Sequence, residues 1–211
     1  RRVIFRSFNS PSTIKVNGHT VLSFPGGALQ APGSMTNRYA FNGTGFTALG
    51  ASSTQAFTLD IWVCPQASNA GCLIREYGQS SGGVPSSGWE DAWINFYNGN
   101  INSSVWGYST PITAGTYTSG NWYNVVMAYN GIGSQLLIYV NGVLGATQNI
   151  TRSVPNTSTM LTVAGPERYN YLGGTNGYFN GYVGPFKIYY SALTPTLIKQ
   201  NFNAIRWRYG V

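Results

Sequence analysis

The chain has 211 residues, 43% of them hydrophobic and 8% charged, enough to bury the core of one β domain beneath a surface that is polar rather than ionic. Twelve Lys and Arg against five Asp and Glu give a net charge of +7, with Arg1, Arg2, Arg6, Lys199, Arg206 and Arg208 gathered near the two ends. No apolar run approaches the roughly 18 residues of a spanning helix, no signal peptide is visible, and no basic-aromatic motif marks a nucleic-acid binder. The terminal cations read first as exposed ends whose charge complements a helix C-terminus, and second as a dock for an acidic partner. The first residue is Arg1 rather than Met, so the chain reads as a processed product or a segment of a longer polypeptide.

Residues 1–12 read as an N-terminal arm. Strands over 13–16 and 20–24 flank Asn17-Gly18, a two-residue hairpin turn. Pro25-Gly26-Gly27 and Ala31-Pro32-Gly33 make an irregular link. Segments 38–41 and 45–49 pair around Asn42-Gly43. The strand over 57–63 sets Phe57, Leu59, Ile61 and Val63 against Thr58, Asp60 and Trp62, a period of two that predicts one buried face. Residues 72–77 return antiparallel to it. A polar, Gly-rich loop follows from 78 to 91. Segments 92–98 and 101–106 form a hairpin, and 122–129 with 135–140 form the central pair. Asn141-Gly142 favours a type I′ turn into 143–147. Residues 160–164 lead to a second long loop over 165–177. The last strand spans 178–190, where Pro185 implies an edge or a bulge. Thr194 as N-cap, Pro195 at the first helical position and a shared face of Leu197, Ile198 and Phe202 predict a helix over 195–205. Many short strands with one terminal helix specify an all-β fold. Residues 1–211 form a single domain, a β-sandwich of two antiparallel sheets with one short C-terminal helix.

The chemistry of the chain is sparse. Cys64 ends one strand and Cys72 begins the next. They read either as a disulfide across a hairpin base or as two buried thiols. Their spacing and the lone His19 do not make a zinc site. The acids are Asp60, Glu76, Glu90, Asp91 and Glu167. A glycosidase needs two carboxylates flanking the scissile bond. Glu90 and Asp91 are adjacent, so on a strand they point to opposite faces. No G-x-S-x-G supports a serine hydrolase. The chain therefore reads as a non-enzyme. Calcium wants six to eight oxygen ligands; Glu90 and Asp91 are the acids available for it, so the expectation is no cofactor, with calcium as the alternative.

Several motifs occur in a telling order: F-T-L-x-x-W-V at 57–63, W-Y-x-V at 122–125, Y-V-N-G at 139–142, Y-F-N-G-Y-V at 178–183, then Ile188-Tyr189 and Ser191-Ala192-Leu193-Thr194. In this order they resemble the laminin-G-like branch of the concanavalin A-like lectin/glucanase superfamily, over about 39–200. The resemblance implies a jelly-roll sandwich. It leaves function open, because members bind sugars or proteins, cut polysaccharides or build structure. Many members carry an acid after the Phe-Asn-Gly phrase. Here Val183-Gly184-Pro185-Phe186 stands in its place, so any ligand role of that acid is lost. The tail from Gln200 to Val211, with N-F-N-A-I-R-W-R-Y-G at its heart, resembles the end of lectin-like domains in structural proteins of large tailed phages and other large DNA viruses.

Sugar sites combine a flat ring with amides and hydroxyls. The candidates are Trp89 in the first long loop, Tyr169, Asn170 and Tyr171 in the second, and Trp106 with Tyr108 at a strand end. Trp93 and Trp122 read instead as buried residues. Asn42, Asn102, Asn149 and Asn156 begin N-x-[ST] sequons, which permit glycosylation. The leading expectation is a non-enzymatic virion structural or surface protein (capsid, decoration or fibre) that contacts other virion subunits and host glycans. The alternative is a carbohydrate-binding module or lectin of an extracellular or cell-surface protein, and a glycoside hydrolase ranks third.

Overall fold

The structure, a computed structural model, describes residues 6–8, 12–25, 38–41, 54–78, 90–104, 111–151, 159–163 and 179–211. Their strands are β1 (Arg6–Phe8), β2 (Ser12–Val16), β3 (His19–Pro25), β4 (Arg38–Phe41), β5 (Phe57–Pro65), β6 (Gly71–Gly78), β7 (Glu90–Tyr97), β8 (Asn100–Ser103), β9 (Ile112–Thr116), β10 (Tyr123–Asn130), β11 (Gln135–Val140), β12 (Val143–Asn149), β13 (Thr159–Val163) and β14 (Asn180–Tyr189). They form two seven-stranded sheets. The first has the order β1-β4-β13-β6-β7-β8-β9, and the second β12-β11-β10-β5-β14-β3-β2. All pairings among them are antiparallel. The result is the jelly-roll sandwich that the motif order implies.

Local chemistry sets the hairpins. At Asn17-Gly18, Asn98-Gly99 and Asn141-Gly142 both residues take positive φ, from 48° to 80°, the conformation a type I′ turn demands and Asn-Gly tolerates. At Pro185 the register of β14 against β5 shifts between Val183 and Phe186. The bulge expected from proline is there, but in an inner strand, between β5 and β3. Thr194 caps helix α1 (Pro195–Ile205) by accepting from the Leu197 amide at 3.3 Å.

Between the sheets lies the main core. Phe57, Leu59, Ile61 and Val63 from β5 meet Trp93, Ile94, Phe96 and Ile101 from the opposite sheet, with Phe57 stacked on Trp93 at 5.0 Å. Each such side chain contributes about 1.5–3 kcal/mol by leaving water. Where β12 passes β9, Gly145 lies against the Ala114 carbonyl with no room for a Cβ, so the two sheets approach backbone to backbone at that border.

The outer face of β5, expected to face solvent, is buried as well: every residue of the strand is. The reason is α1 and the tail behind it. Trp62 stacks on Tyr209 at 4.3 Å and on Phe202 at 5.7 Å, and Tyr209 also meets Trp122 at 4.6 Å. Ile198 packs with Val126 and Tyr139. The Val183-Gly184-Pro185 bulge belongs to this arrangement. A Cβ at Gly184 would stand 3.0 Å from the Tyr209 hydroxyl and 3.1 Å from Trp62 Cβ.

Four expectations need correction. First, β6 does not pair with β5; it belongs to the other sheet, so 66–70 arches between the layers. Second, the disulfide of Cys64 and Cys72 is not formed, because no hairpin joins their strands. Both are free buried thiols, Cys64 beside Trp62 and Phe202 and Cys72 donating to the carbonyls of Ile74 and Ile94 at 3.3 and 3.6 Å. Third, β4 has a strand on each side, β1 and β13, and its expected partner 45–49 lies outside the described residues. Arg6–Phe8 is thus an edge strand rather than part of a free arm. Fourth, Leu197 does not share the buried face of Ile198 and Phe202; it is 45% exposed.

Tyr209→Ala removes the ring between Trp62 and Trp122 and is expected to cost about 3 kcal/mol in chemical denaturation, whereas Ala at the exposed Trp207 costs less than about 1 kcal/mol. Equal losses would mean that the tail is not packed as described. Both cysteines are expected to resist maleimide labelling in the native protein and to react fully in denaturant without reductant, read by intact mass. A bridged pair would show no labelling in either condition.

Candidate functional site

Two buried polar groupings stand out among the described residues, and their surroundings separate structure from function. The first lies under α1. Asn124 donates from Nδ2 to Asp60 Oδ1 at 2.7 Å, and its backbone amide donates to Asn141 Oδ1 at 2.9 Å. Thr58 donates to the Ser191 carbonyl at 2.8 Å and accepts from the Leu193 amide at 2.9 Å. Asn201 donates to the Tyr189 hydroxyl at 3.1 Å. These bonds tie the sheet to the entry and body of the helix. Burial pushes the Asp60 carboxyl above its ordinary value, against the opposing pull of the Asn124 hydrogen bond and the Lys187 charge. Asp60 and Asn124 bond to each other and to the segments that seat the helix, with Asn124 Oδ1 the one atom of the pair left unmatched among the described residues, so this layer is structural.

The second grouping lies across β7, β8 and β9. The Asn98-Gly99 turn sets the register. Phe96 faces Ile101 and both enter the core, so the next pair, Asn95 and Asn102, turns away from it. In β9 the residue opposite Asn102 is Thr113, whose hydroxyl donates to Asn102 Oδ1 at 2.8 Å. The Asn102 amide nitrogen reaches the Asn100 carbonyl only at 3.5 Å. Asn95 is 1% exposed, and neither its Nδ2 nor its Oδ1 has a partner among the described residues. A buried amide left unmatched costs about 1–3 kcal/mol. A sequence keeps such a group against stability when it has work to do. The row Asn95, Asn102 and Thr113 offers amide donors, amide acceptors and a hydroxyl, with no charge. This is chemistry for hydroxyl-rich, neutral ligands.

Trp89, Trp106, Tyr108, Tyr169, Asn170 and Tyr171 lie outside the described residues. Their connections are nevertheless informative. The chain leaves β6 at Gly78 and enters β7 at Glu90, and Tyr77 faces Glu90. Segment 105–110 joins β8 to β9 where Ser103 faces Ile112. The chain therefore leaves and re-enters these strands at the end of the sheet away from the Asn98-Gly99 turn. Segment 164–178, carrying Tyr169 to Tyr171, is attached at Val163, opposite Ile74, and near Ala70, whose carbonyl accepts from the Asn180 amide. That is toward the other end.

Glu90 and Asp91 open β7 opposite Tyr77 and Glu76. Among the described residues, no three His, Cys, Asp or Glu side chains converge. Trp93 and Trp122 are buried as expected. Asn102 is 7% exposed with its Oδ1 engaged, which removes it as a glycosylation acceptor; Asn149 is exposed on β12, and Asn42 and Asn156 lie outside the described residues. Sequence reasoning passed over Asn95, Asn102 and Thr113. Counting back from Asn98-Gly99 pairs 95 with 102, and that was the available signal.

A sandwich of this topology with a polar row on one outer face is a lectin-like binding fold. A laminin-G-type family model described as the Concanavalin A-like lectin/glucanases superfamily matches residues 34–199, and the chain belongs to that family. A comparison with curated protein sequences finds no match. Solved structures supply similar folds. The binding domain of Paraclostridial Mosquitocidal Protein 1 is 15% identical with a TM-score of 0.64, over 96% of this chain and 47% of that one. A heptameric SAP-like pentraxin from Limulus polyphemus is 17% identical with a TM-score of 0.56, over 84% of this chain and 78% of that one. A structure of botulinum neurotoxin type C, whose cell entry depends upon interaction with two ganglioside molecules, is 13% identical with a TM-score of 0.53, over 94% and 51%. The chain thus spans about half the length of these toxin chains. At such identities the likeness establishes the fold.

Asp60→Asn tests the structural reading of the layer under α1. With its folded value raised above 3.8, the protonated acid is the better fit. Its contribution to stability is full below the unfolded value and is lost as pH rises through the folded one. The neutral isostere is expected to gain about 1 kcal/mol at pH 7 and to flatten the stability profile above pH 3.8. A loss of stability at pH 7 would mean that the Lys187 attraction outweighs burial.

Proposed function

We propose that this chain is a non-enzymatic, lectin-like surface domain that recognises a glycan through Asn95, Asn102 and Thr113. The observation that carries the reading is the Asn95 amide, buried and with neither atom partnered among the described residues. A sugar hydroxyl both donates and accepts and so satisfies such a group at both atoms. Trp89, Trp106 and Tyr108, which lie outside the described residues, are the rings proposed to stack on the sugar. Absence of catalysis is proposed because the chain has only five acids, Asp60 among them is buried under α1, and a glycosidase needs two carboxylates flanking the bond. Similar folds serve as toxin binding domains, one of them in a toxin whose cell entry depends on gangliosides, and a pentraxin shares the sandwich; this supports recognition in kind.

The domain is proposed to work on an extracellular surface. The resemblance of the tail to viral structural proteins favours the surface of a virion, with other subunits as partners. Part of that pattern also has a packing role, since Phe202 and Tyr209 cover Trp62. Proteomics of purified particles decides the location: the chain is expected among their structural proteins, and its absence removes the virion reading while leaving glycan recognition standing.

The first experiment is a broad glycan array with calcium and, in parallel, with chelator. Specific retention is expected, and loss with chelator would assign calcium a part in it. Asn95→Leu then separates function from stability. Its melting temperature is expected to equal or exceed that of the parent, because an unmatched buried amide is gone. Its glycan affinity is expected to fall by about tenfold or more. Undiminished binding by Asn95→Leu would move the site off this row.

A further inference from the structure

We propose that the face carrying α1 docks on an anionic lipid bilayer, through exposed Leu and Trp side chains and the cations around the helix. The proposal is independent of the glycan row, which belongs to the other sheet.

The first sheet carries both signs, with Arg6, Arg38 and Arg75 among its acids, whereas the face around α1 carries cations and, among the described residues, no exposed acid. Glu76, Glu90 and Asp91 belong to β6 and β7 of the first sheet. Asp60 is the acid that the second sheet contributes, and it is buried. Around α1 stand Lys187, Lys199, Arg206 and Arg208. Lys187 is opposite Asp60 in register and exposed. Lys199 and Arg206 lie over the Phe202 ring at 5.1 and 5.9 Å, and Arg208 over Trp207 at 5.1 Å. His19 approaches Trp207 edge-on at 6.1 Å. Asn17, in the β2–β3 turn, donates to the Arg208 carbonyl at 3.0 Å and holds this end in place.

The same face exposes large apolar side chains. Trp207 is 65% exposed, Leu144 49% and Leu197 45%. Leu144 is opposite Tyr139, which packs with Ile198 of the helix, so it faces the same side. Leu197 and Ala204, seven residues apart, share one flank of α1, and Lys199 and Arg206, also seven apart, share the opposite flank, with Trp207 on the 3-10 turn that extends the helix.

That combination selects the occupant. At the boundary of headgroup and acyl chain, Trp and Leu enter the apolar side while Lys and Arg meet phosphates. Anionic lipids reward each cation near the surface. A nucleic acid would use the cations and the Trp ring but would leave Leu144 and Leu197 without apolar partners. A neutral glycan would make no use of the cations.

The test is cosedimentation of the full chain with vesicles of phosphatidylcholine alone, and of phosphatidylcholine and phosphatidylserine at roughly two to one. Binding is expected only with phosphatidylserine. It is expected to weaken steeply at about 0.5 M salt and to carry a blue shift in tryptophan emission that Trp207→Ala abolishes. Lys199→Gln with Arg206→Gln is expected to lower partitioning about twentyfold, at about fivefold per charge. Both variants change exposed side chains, and unchanged melting confirms that they fold. Equal binding to phosphatidylcholine alone, binding to neither vesicle, or undiminished binding by the double variant overturns the proposal. Tight binding to a single-stranded oligonucleotide without vesicle binding assigns the face to nucleic acid instead.

Discussion

The structure depends on the burial of one strand from both sides. β5 runs through the middle of the second sheet and sends Phe57, Leu59, Ile61 and Val63 into the space between the sheets. Its other face carries Trp62, too large to leave in water without a cover. The tail supplies that cover through Phe202 and Tyr209. The Gly184-Pro185 bulge opens the room the Tyr209 ring needs. Remove the tail and the central strand of the sheet is left half solvated, with its buried polar partners Thr58, Asp60 and Asn124 brought toward water.

Burial on that side has a consequence for function. A sheet whose outer face is covered by a helix has no open polar surface to offer, and its polar groups go largely into bonds that anchor the cover, with Asn124 Oδ1 and Gln148 Oε1 left over. The outer face of the first sheet differs at β7 to β9. There Asn102 and Thr113 bond to each other and Asn95 keeps both amide atoms unmatched. In the first sheet it is a whole side-chain amide, donor and acceptor, that is left over. Cations gather around the helix.

Much of the fold was legible. The Asn-Gly turns announced three hairpins because Asn and Gly accept positive φ that other residues resist. Thr194 and Pro195 announced the helix start because they satisfy or dispense with unpaired amides. Long-range partnership was not legible. Cys64 and Cys72 sit close in sequence, yet a turn of that length closes a hairpin or arches between layers, and only the pairing of the flanking strands tells which. The candidate site shows the same divide. Asn95 and Asn102 are ordinary strand asparagines by composition, whereas aromatic residues in polar loops attract notice. What singles out Asn95 is a missing partner, a property of three dimensions.

The residues in order therefore determined the elements, their turns, the family and the shortage of acids that turns the reading away from hydrolysis, since these rest on local backbone preference, motif order and count. The tertiary structure decided which strands share a sheet, that both faces of β5 are buried, that the two thiols stay apart, and which amide is left without a partner. Those depend on contacts between residues far apart in the chain, and no local preference encodes them.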